Sequence, residues 1–199
     1  MKFECGNIMA TRTLPVMVVL LSLSAIQVMA QTSAPNFHLT KITPHLLTTP
    51  KFPYAGAQQH PTNQNDRWLE VEVEFAAGPA FTEELTLKYF ILLNGRLLTG
   101  EVTHAGILAG RGKRSVMYVS PKGIAACLNN APVSMNSVQN IAVQILRKGA
   151  VEDEMSMKRV AAQWYATMTQ LTGLVLNKTE TPFASLYWDR FEQIKPSAR

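Results

Sequence analysis

The stretch RWLEVEVEF, residues 67–75, strictly alternates apolar and acidic side chains from Leu69 onward. Successive side chains of a β-strand point to opposite faces, so this stretch has one apolar face and one acidic face. The residues predicted to face a core are Leu69, Val71, Val73 and Phe75, and those predicted to face water are Glu70, Glu72 and Glu74. The clearest pattern in the chain therefore specifies architecture rather than chemistry.

The N-terminus has the layout of a secretory signal peptide. Lys2 and Arg12 precede the uncharged run LPVMVVLLSLSAIQV. Val28-Met29-Ala30 then supplies a small residue at the cleavage point and an acceptable residue two places before it. We expect cleavage after Ala30 and an exported protein, located in the periplasm, on the outer surface or outside the cell. The alternative is a retained anchor, because the uncharged run reaches the lower limit for a membrane span.

Removal of residues 1–30 would take away Lys2, Arg12 and Glu4 and lower the net charge from +5 to +4. This excess is too mild to indicate nucleic-acid binding, and no stable membrane insertion is expected after cleavage. Cys127 would be the only remaining cysteine, so no intrachain disulfide is predicted. We interpret residues 31–36 as a flexible lead and residues 37–199 as a single domain, whose length suits a sizeable core.

Most of the domain is predicted to be strands joined by turns. Asn94-Gly95 between two apolar runs is a strong hairpin signal, and Gly78-Pro79 is predicted to be a turn that ends the strand before it. Residues 48–66 are predicted to be a loop, and residues 122–129 a short helix. The predicted strands are PNFHLTKIT, RWLEVEVEF, TLKYFILL, RLLTGEVTH, GKRSVMYVS, NIAVQILRKG and VEDEMSMKRV. Because these strands do not alternate with helices, we predict a mostly β fold, an immunoglobulin-like antiparallel β-sandwich.

A short helical segment is predicted at the C-terminus. Thr181 is a candidate N-cap and Pro182 suits the first helical position. The apolar residues at helical spacing are Phe183, Leu186, Tyr187, Phe191 and Ile194. We expect this stripe to fold onto the sandwich, since such a face seldom stays exposed, and the alternative is a free helix that binds a partner.

The string LNKTETPFASLYWDRFE, residues 176–192, resembles the C-terminal signature of a family of secreted verrucomicrobial proteins of Akkermansia type. The matching positions are Leu176-Asn177, Thr181 to Ala184, and Trp188 to Phe191. The resemblance extends loosely over the rest of the mature chain. It implies an immunoglobulin-like fold and an association with type IV pilus genes, and it brings no catalytic residues.

The glycine-rich segment AGILAGRGKRS does not meet the spacing of a phosphate-binding loop, because Ile107 stands where the first glycine should be. Its flanking strands predict a hairpin loop that carries Arg111, Lys113 and Arg114. These three residues are a possible anion or partner contact, for sulfated or sialylated glycans, lipid head groups or an acidic protein. The alternative is a solvated loop whose charge aids solubility.

No catalytic residue, metal ligand or cofactor is predicted. The histidines His38, His45, His60 and His104 lack a paired ligand spacing, and Cys127 lies among small apolar residues where a buried, inert thiol is usual.

We therefore predict a non-enzymatic, exported binding or assembly protein with a protein partner, a pilus or envelope component. One alternative is a carbohydrate-binding or adhesive module, for which an aromatic platform would come from Tyr54, Trp164, Tyr165 and Trp188. A hydrolase with a cryptic site is a further alternative, disfavoured by the absence of a nucleophile–base spacing.

Overall fold

Seven β-strands in one hydrogen-bonded sheet dominate the computed structural model, which describes residues 36–52 and 66–196. The strands are β1 Phe37–Thr48, β2 Arg67–Leu93, β3 Arg96–Val119, β4 Val138–Arg147, β5 Ala150–Ser156, β6 Gln170–Thr172 and β7 Val175–Asn177. One α-helix, α1, spans Pro121–Leu128, and short 3-10 helices span Met135–Ser137 and Lys178–Glu180. The predicted signal peptide, most of the predicted lead, Tyr54 and His60 lie outside the described residues.

The sheet folds over on itself, because two side chains far apart along β2 and β3 meet. Ser115 of β3 pairs with Val73 of β2, and an extended strand from Val73 to Tyr89 would span about 50 Å. The hydroxyl of Tyr89 nevertheless donates a hydrogen bond to Oγ of Ser115 at 2.7 Å. The bend lies where the pairing of β2 with β3 is irregular, between Phe75 and Phe81.

The bend divides the sheet into two layers. Layer 1 contains β1, residues 67–77 of β2, residues 110–119 of β3, and β7. Layer 2 contains β5, β4, residues 81–93 of β2, residues 96–108 of β3, and β6. All of the strand pairs are antiparallel except β3 with β6. The mostly β, antiparallel class predicted from the sequence is confirmed, and the two layers are consistent with an immunoglobulin-like sandwich.

The core lies between the two layers. Leu69, Val71, Val73 and Phe75 are fully buried there, which confirms the inward face predicted for RWLEVEVEF. Layer 2 contributes the buried side chains Leu85, Leu87, Tyr89, Ile91, Leu93, Ile141, Val143 and Ile145. They occupy every second position along β2 and β4, which reflects the two-residue period of a strand with one face toward the core.

Local sequence patterns correctly predicted one hairpin turn and one short helix. Asn94 and Gly95 adopt φ angles of 49° and 76°, as a tight hairpin between β2 and β3 requires. The short helix predicted at residues 122–129 is observed as α1, which begins after Ser120, whose hydroxyl accepts a hydrogen bond from the backbone N–H of Gly123.

Other predicted boundaries were wrong. Gly78-Pro79 does not end a strand, because β2 continues through the bend to Leu93. Residues 105–115 are not a hairpin loop, because β3 runs without a break from Arg96 to Val119, with Gly106 and Gly112 at φ angles of 67° and 70°. The long strands absorb these irregularities as bulges, which bend a strand without ending it.

The predicted C-terminal α-helix is also wrong in its conformation, although the segment does fold onto the sandwich. After the 3-10 helix Lys178–Glu180, residues 181–191 form successive turns held by bonds between residues three apart, such as Leu186 N–H to the carbonyl of Phe183 at 3.0 Å. Such turns keep apolar residues on one side without an α-helical hydrogen-bond ladder.

Candidate functional site

The outer face of layer 1, which carries the three glutamates of β2, is covered rather than exposed to water. Glu72 is only 7% exposed, and Glu70 and Glu74 are partly buried. The prediction that the glutamate face of this strand is exposed to water is therefore wrong, although the predicted alternation of the two faces is correct. The cover is the C-terminal segment, residues 178–195.

Two arginines from distant parts of the chain neutralise Glu72. The Nη2 of Arg190 donates to both carboxylate oxygens at 2.8 Å, and Nε of Arg114 lies 3.5 Å from one of them. The hydrogen bonds to Glu72 raise the pKa of the Arg190 guanidinium. Arg114 also donates to Glu74 at 3.0 Å. A buried carboxylate is stable here because both of its oxygens have cationic donors.

Aromatic packing fixes the C-terminal segment on this face. The ring of Phe183 stacks on Tyr118 with centroids 4.7 Å apart and meets the edge of Trp68 at 5.5 Å. Leu186 and Phe191 pack on the same cluster. Of the stripe predicted from the sequence, Phe183, Leu186 and Phe191 make this contact and Ile194 packs on the main core, whereas the inward position predicted for Tyr187 is wrong.

The start of the segment is held by polar contacts. Asn177 and Glu180 cap the 3-10 helix between them, and the hydroxyl of Thr181 donates to the carbonyl of Lys178 at 2.8 Å. The buried amino group of Lys178 donates to the carbonyl of Ala184 at 2.8 Å, and burial lowers its pKa. These contacts account for Asn177, Thr181 and Ala184, which belong to the signature block.

Tyr187 and Trp188 are the large apolar side chains of this segment that project into solvent. Tyr187 is 68% exposed and Trp188 is 78% exposed. Tyr187 also has a φ angle of 51°, in the left-handed region that is uncommon for a residue with a bulky side chain. Packing within the described residues does not explain either exposure.

A groove of about 420 Å³ runs between β1 and the C-terminal segment, with Tyr187 at its edge. Glu70 and Glu72 project into it from β2, and Tyr118 from β3. The hydroxyl of Tyr118 donates to Oε1 of Glu70 at 2.9 Å, and burial, followed by the nearby glutamates, raises the pKa of this phenol. The remaining lining residues are His45, Leu47, Thr48, Pro50, Phe183, Leu186, Arg190 and Phe191.

The three basic residues proposed from the sequence do not share one environment. Arg111 is exposed, whereas Lys113 lies 3.4 Å from Glu192 and Arg114 is bound by Glu72 and Glu74. All three lie in β3 rather than on a loop. A contact with an external anion by Lys113 or Arg114 would compete with these internal ion pairs.

The described histidines and Cys127 are dispersed. His104 is buried in layer 2, while His38 and His45 are exposed on β1. Cys127 is buried in the core, and burial raises the pKa of its thiol, as predicted for an unreactive cysteine. Within residues 36–52 and 66–196, no three side chains of metal-binding type converge, and no helix is long and apolar enough to cross a membrane.

Trp164 and Tyr165, which were candidates for an aromatic platform, serve the outer face of layer 2. Tyr165 is buried, stacks on Phe90 with centroids 3.7 Å apart, and shares hydrogen bonds with Gln144 and Glu154. The indole of Trp164 donates to Ser156 at 3.1 Å. Of the described candidates, Trp188 remains available.

A protein-family model matches residues 28–198 of the chain. The chain belongs to this family. The crystal structure of a protein from Akkermansia muciniphila has the same fold, with a TM-score of 0.66 and 19% identity over 84% of this chain and 98% of that one. At this identity the likeness shows the fold alone. No curated protein matches the sequence significantly. This structural relative comes from the genus to which the C-terminal block was compared.

Sequence reasoning missed the groove and the ion pairs of Glu72. The partners Glu72 and Arg190 are 118 positions apart, and nothing in the spacing of either residue refers to the other. The available signal was the combination of a charged residue, Arg190, with an apolar stripe that had to lie on some face of the sheet. The acidic face of β2 offered the complementary charge.

Proposed function

We propose that this protein is an exported, non-enzymatic binding or assembly module of the cell surface, associated with type IV pili. It presents Tyr187 and Trp188 to a protein partner. The observation that carries the proposal is the exposure of these two large aromatic side chains on a segment that Phe183, Leu186 and Arg190 hold against the sheet. Exposed aromatic side chains are typical anchors of protein interfaces.

The surroundings of the pair support a binding role over a structural one. The segment is held from both sides, by Phe183 in the aromatic cluster and by Arg190 on Glu72. Tyr187 and Trp188 therefore lie on a fixed support, which limits the conformational entropy that a partner would have to pay for.

The experiment is a pull-down from the envelope and pilus fractions with the mature protein and the variant Trp188→Ala. We expect the wild type to retain a specific partner and the variant to lose most of it, with unchanged thermal stability. Val160→Ala, which also truncates an exposed apolar side chain, is the matched control. Equal recovery by all three proteins would refute a role for Trp188, and recovery of nothing by the wild type would refute the assembly proposal.

A carbohydrate-binding role is the second candidate, because an exposed Tyr–Trp pair beside a groove with a carboxylate can also stack on sugar rings. A glycan array with wild type and Trp188→Ala distinguishes the two. Binding to a defined glycan that disappears in the variant would favour this candidate.

Arg111 is the part of the predicted anion contact that is exposed and has no ion pair within the described residues. We propose that it adds long-range attraction for an acidic partner surface. The single change Arg111→Ser tests this without disturbing Glu72, Glu74 or Glu192. Slower association and a weaker dependence on salt are expected, and unchanged kinetics would remove Arg111 from the interface.

A further inference from the structure

The three glutamates on the outer face of layer 1 are not equivalent. Glu72 and Glu74 each have an arginine within 3.0 Å. Glu70 has the hydroxyl of Tyr118 as its hydrogen-bond donor, and no lysine, arginine or histidine of the described residues lies within 4.0 Å of its carboxylate. The groove thus contains one carboxylate without a direct ion pair within the described residues, which interacts with Arg190 only at longer range.

The walls around this carboxylate are aromatic. Tyr118, Phe183, Tyr187 and Phe191 all line the groove. The face of an aromatic ring attracts cations, and the ring of Phe191 already lies 5.9 Å from the amino group of Lys178 and 5.8 Å from the guanidinium of Arg190. A carboxylate surrounded by such rings is complementary to a cation on a flexible apolar stem.

We propose that this groove binds a lysine side chain of the partner protein, with the ammonium group on Glu70 and the methylene stem against Tyr187 and Phe191. This inference rests on the proposed function and adds the chemistry of the partner. The positive charge of Arg190 on the same wall is balanced by Glu72, which accepts both of its hydrogen bonds. Lysine suits the site because its compact ammonium group can replace part of its hydration shell with a carboxylate oxygen while its stem packs on rings.

The shape of the groove favours a peptide over an isolated amine. One wall follows β1 and the residues after it, from His45 through Leu47 and Thr48 to Pro50. An extended partner segment can lie beside this wall while one of its side chains reaches Glu70, since alternate residues of an extended chain point the same way. The exposed Trp188 lies next to Tyr187 in the chain and extends the contact beyond the groove.

The test uses the mature protein and two short peptides, acetyl-Ala-Lys-Ala-amide and the same peptide with an acetylated lysine, in NMR titrations. We expect the lysine peptide to shift signals of groove residues, and the acetylated peptide to bind about tenfold more weakly or not at all. Glu70→Gln keeps the side-chain shape and an acceptor for Tyr118, and should weaken binding of the lysine peptide by about the same factor. Glu83→Gln, at an exposed position in layer 2, is the matched control and should bind like wild type.

A second variant keeps the test decisive if Glu70→Gln is unstable. Tyr187→Ala removes an exposed aromatic wall, so it should preserve folding and still reduce binding by about threefold or more. Equal affinity for both peptides, or equal weakening by Glu83→Gln, would overturn the proposal. So would tighter binding of glucosamine than of the lysine peptide, because the occupant would then be an amino sugar.

The outcomes separate this inference from the proposed function. If the pull-down depends on Trp188 but the lysine peptide does not bind, the assembly role stands and the lysine site fails. If the peptide binds but no partner is recovered from the pilus and envelope fractions, the site stands and the pilus association fails.

Discussion

Nε2 of the buried His104 lies 2.7 Å from Oγ of Ser115, and the hydroxyl of Tyr89 donates to the same oxygen at 2.7 Å. Because Ser115 accepts from Tyr89, its own proton can be donated to Nε2 of His104, which is then the unprotonated nitrogen. Nδ1–H of His104 donates to the carbonyl of Glu192 at 3.1 Å. The neutral imidazole thus connects both layers of the sandwich to the C-terminal segment.

Stability is expected to depend on pH through His104. Burial lowers its pKa from 6.5 to about 4, so between these values the unfolded chain binds a proton that the folded protein does not. Stability is therefore fully present above about pH 6.5 and decreases by about 3 kcal/mol as the pH falls to about 4. Urea denaturation at a series of pH values measures this loss.

The variant His104→Gln should flatten the decrease in stability between pH 6.5 and 4, whatever its own stability at neutral pH. His45→Asn, which changes an exposed imidazole without an ion pair in the described residues, is the control and should retain the wild-type slope. An unchanged slope in His104→Gln would show that other groups cause the acid sensitivity.

Replacing Glu72 by lysine should destabilise the protein by about 3 kcal/mol, because it leaves Arg114 and Arg190 beside a third positive charge under the cover. From the sequence alone this change is predicted to be nearly neutral, since the acidic face of a half-exposed strand is normally solvated. Thermal or chemical denaturation decides between the two expectations. Glu83→Lys, on an exposed position, should change stability by no more than about 0.5 kcal/mol.

Truncation of Phe183 should detach the C-terminal segment without unfolding the sandwich. The variant Phe183→Ala loses the stack on Tyr118 and the edge contact with Trp68, a change that costs about 3 kcal/mol at a buried aromatic position. Limited proteolysis should then cleave within residues 178–195 while the rest of the domain stays resistant. Trp188→Ala, in the same segment but exposed, should be as resistant as wild type. Simultaneous loss of the whole domain in Phe183→Ala would mean that the segment and the sandwich unfold as one unit.

A larger residue in place of Gly100 of β3 is expected to destabilise the protein. A Cβ at this position would lie 2.6 Å from Cβ of Val175, so β7 would have to move away from β3. Gly100→Ala should therefore cost about 2 kcal/mol by overpacking. Gly95→Ala meets no neighbouring atom and only carries the strain of a φ angle of 76°, so we expect about 1 kcal/mol. Denaturation midpoints of the two variants give the comparison, and a smaller loss for Gly100→Ala would contradict it.

The sequence by itself determined the features that depend on near neighbours. The alternation in residues 67–75 correctly predicted which side chains enter the core, because side-chain direction repeats every two residues in any strand. Asn94-Gly95 correctly marked a hairpin, since turn geometry depends on the residues of the turn itself. The short helix predicted at residues 122–129 is observed at Pro121–Leu128. The apolar stripe from Phe183 to Ile194 correctly predicted that the segment would dock.

Only the tertiary structure decided what lies on the outer faces of the two layers. Glycine and proline at the bend look like strand ends in the sequence, but pairing on both sides carries β2 and β3 through it. The C-terminal stripe took a conformation of successive turns, because its contacts with Tyr118 and Glu72 outweigh its weak helical preference. The groove with Glu70 exists only because residues more than a hundred positions apart meet there. Electrostatic and packing energies depend on distance in space, which a one-dimensional pattern does not contain.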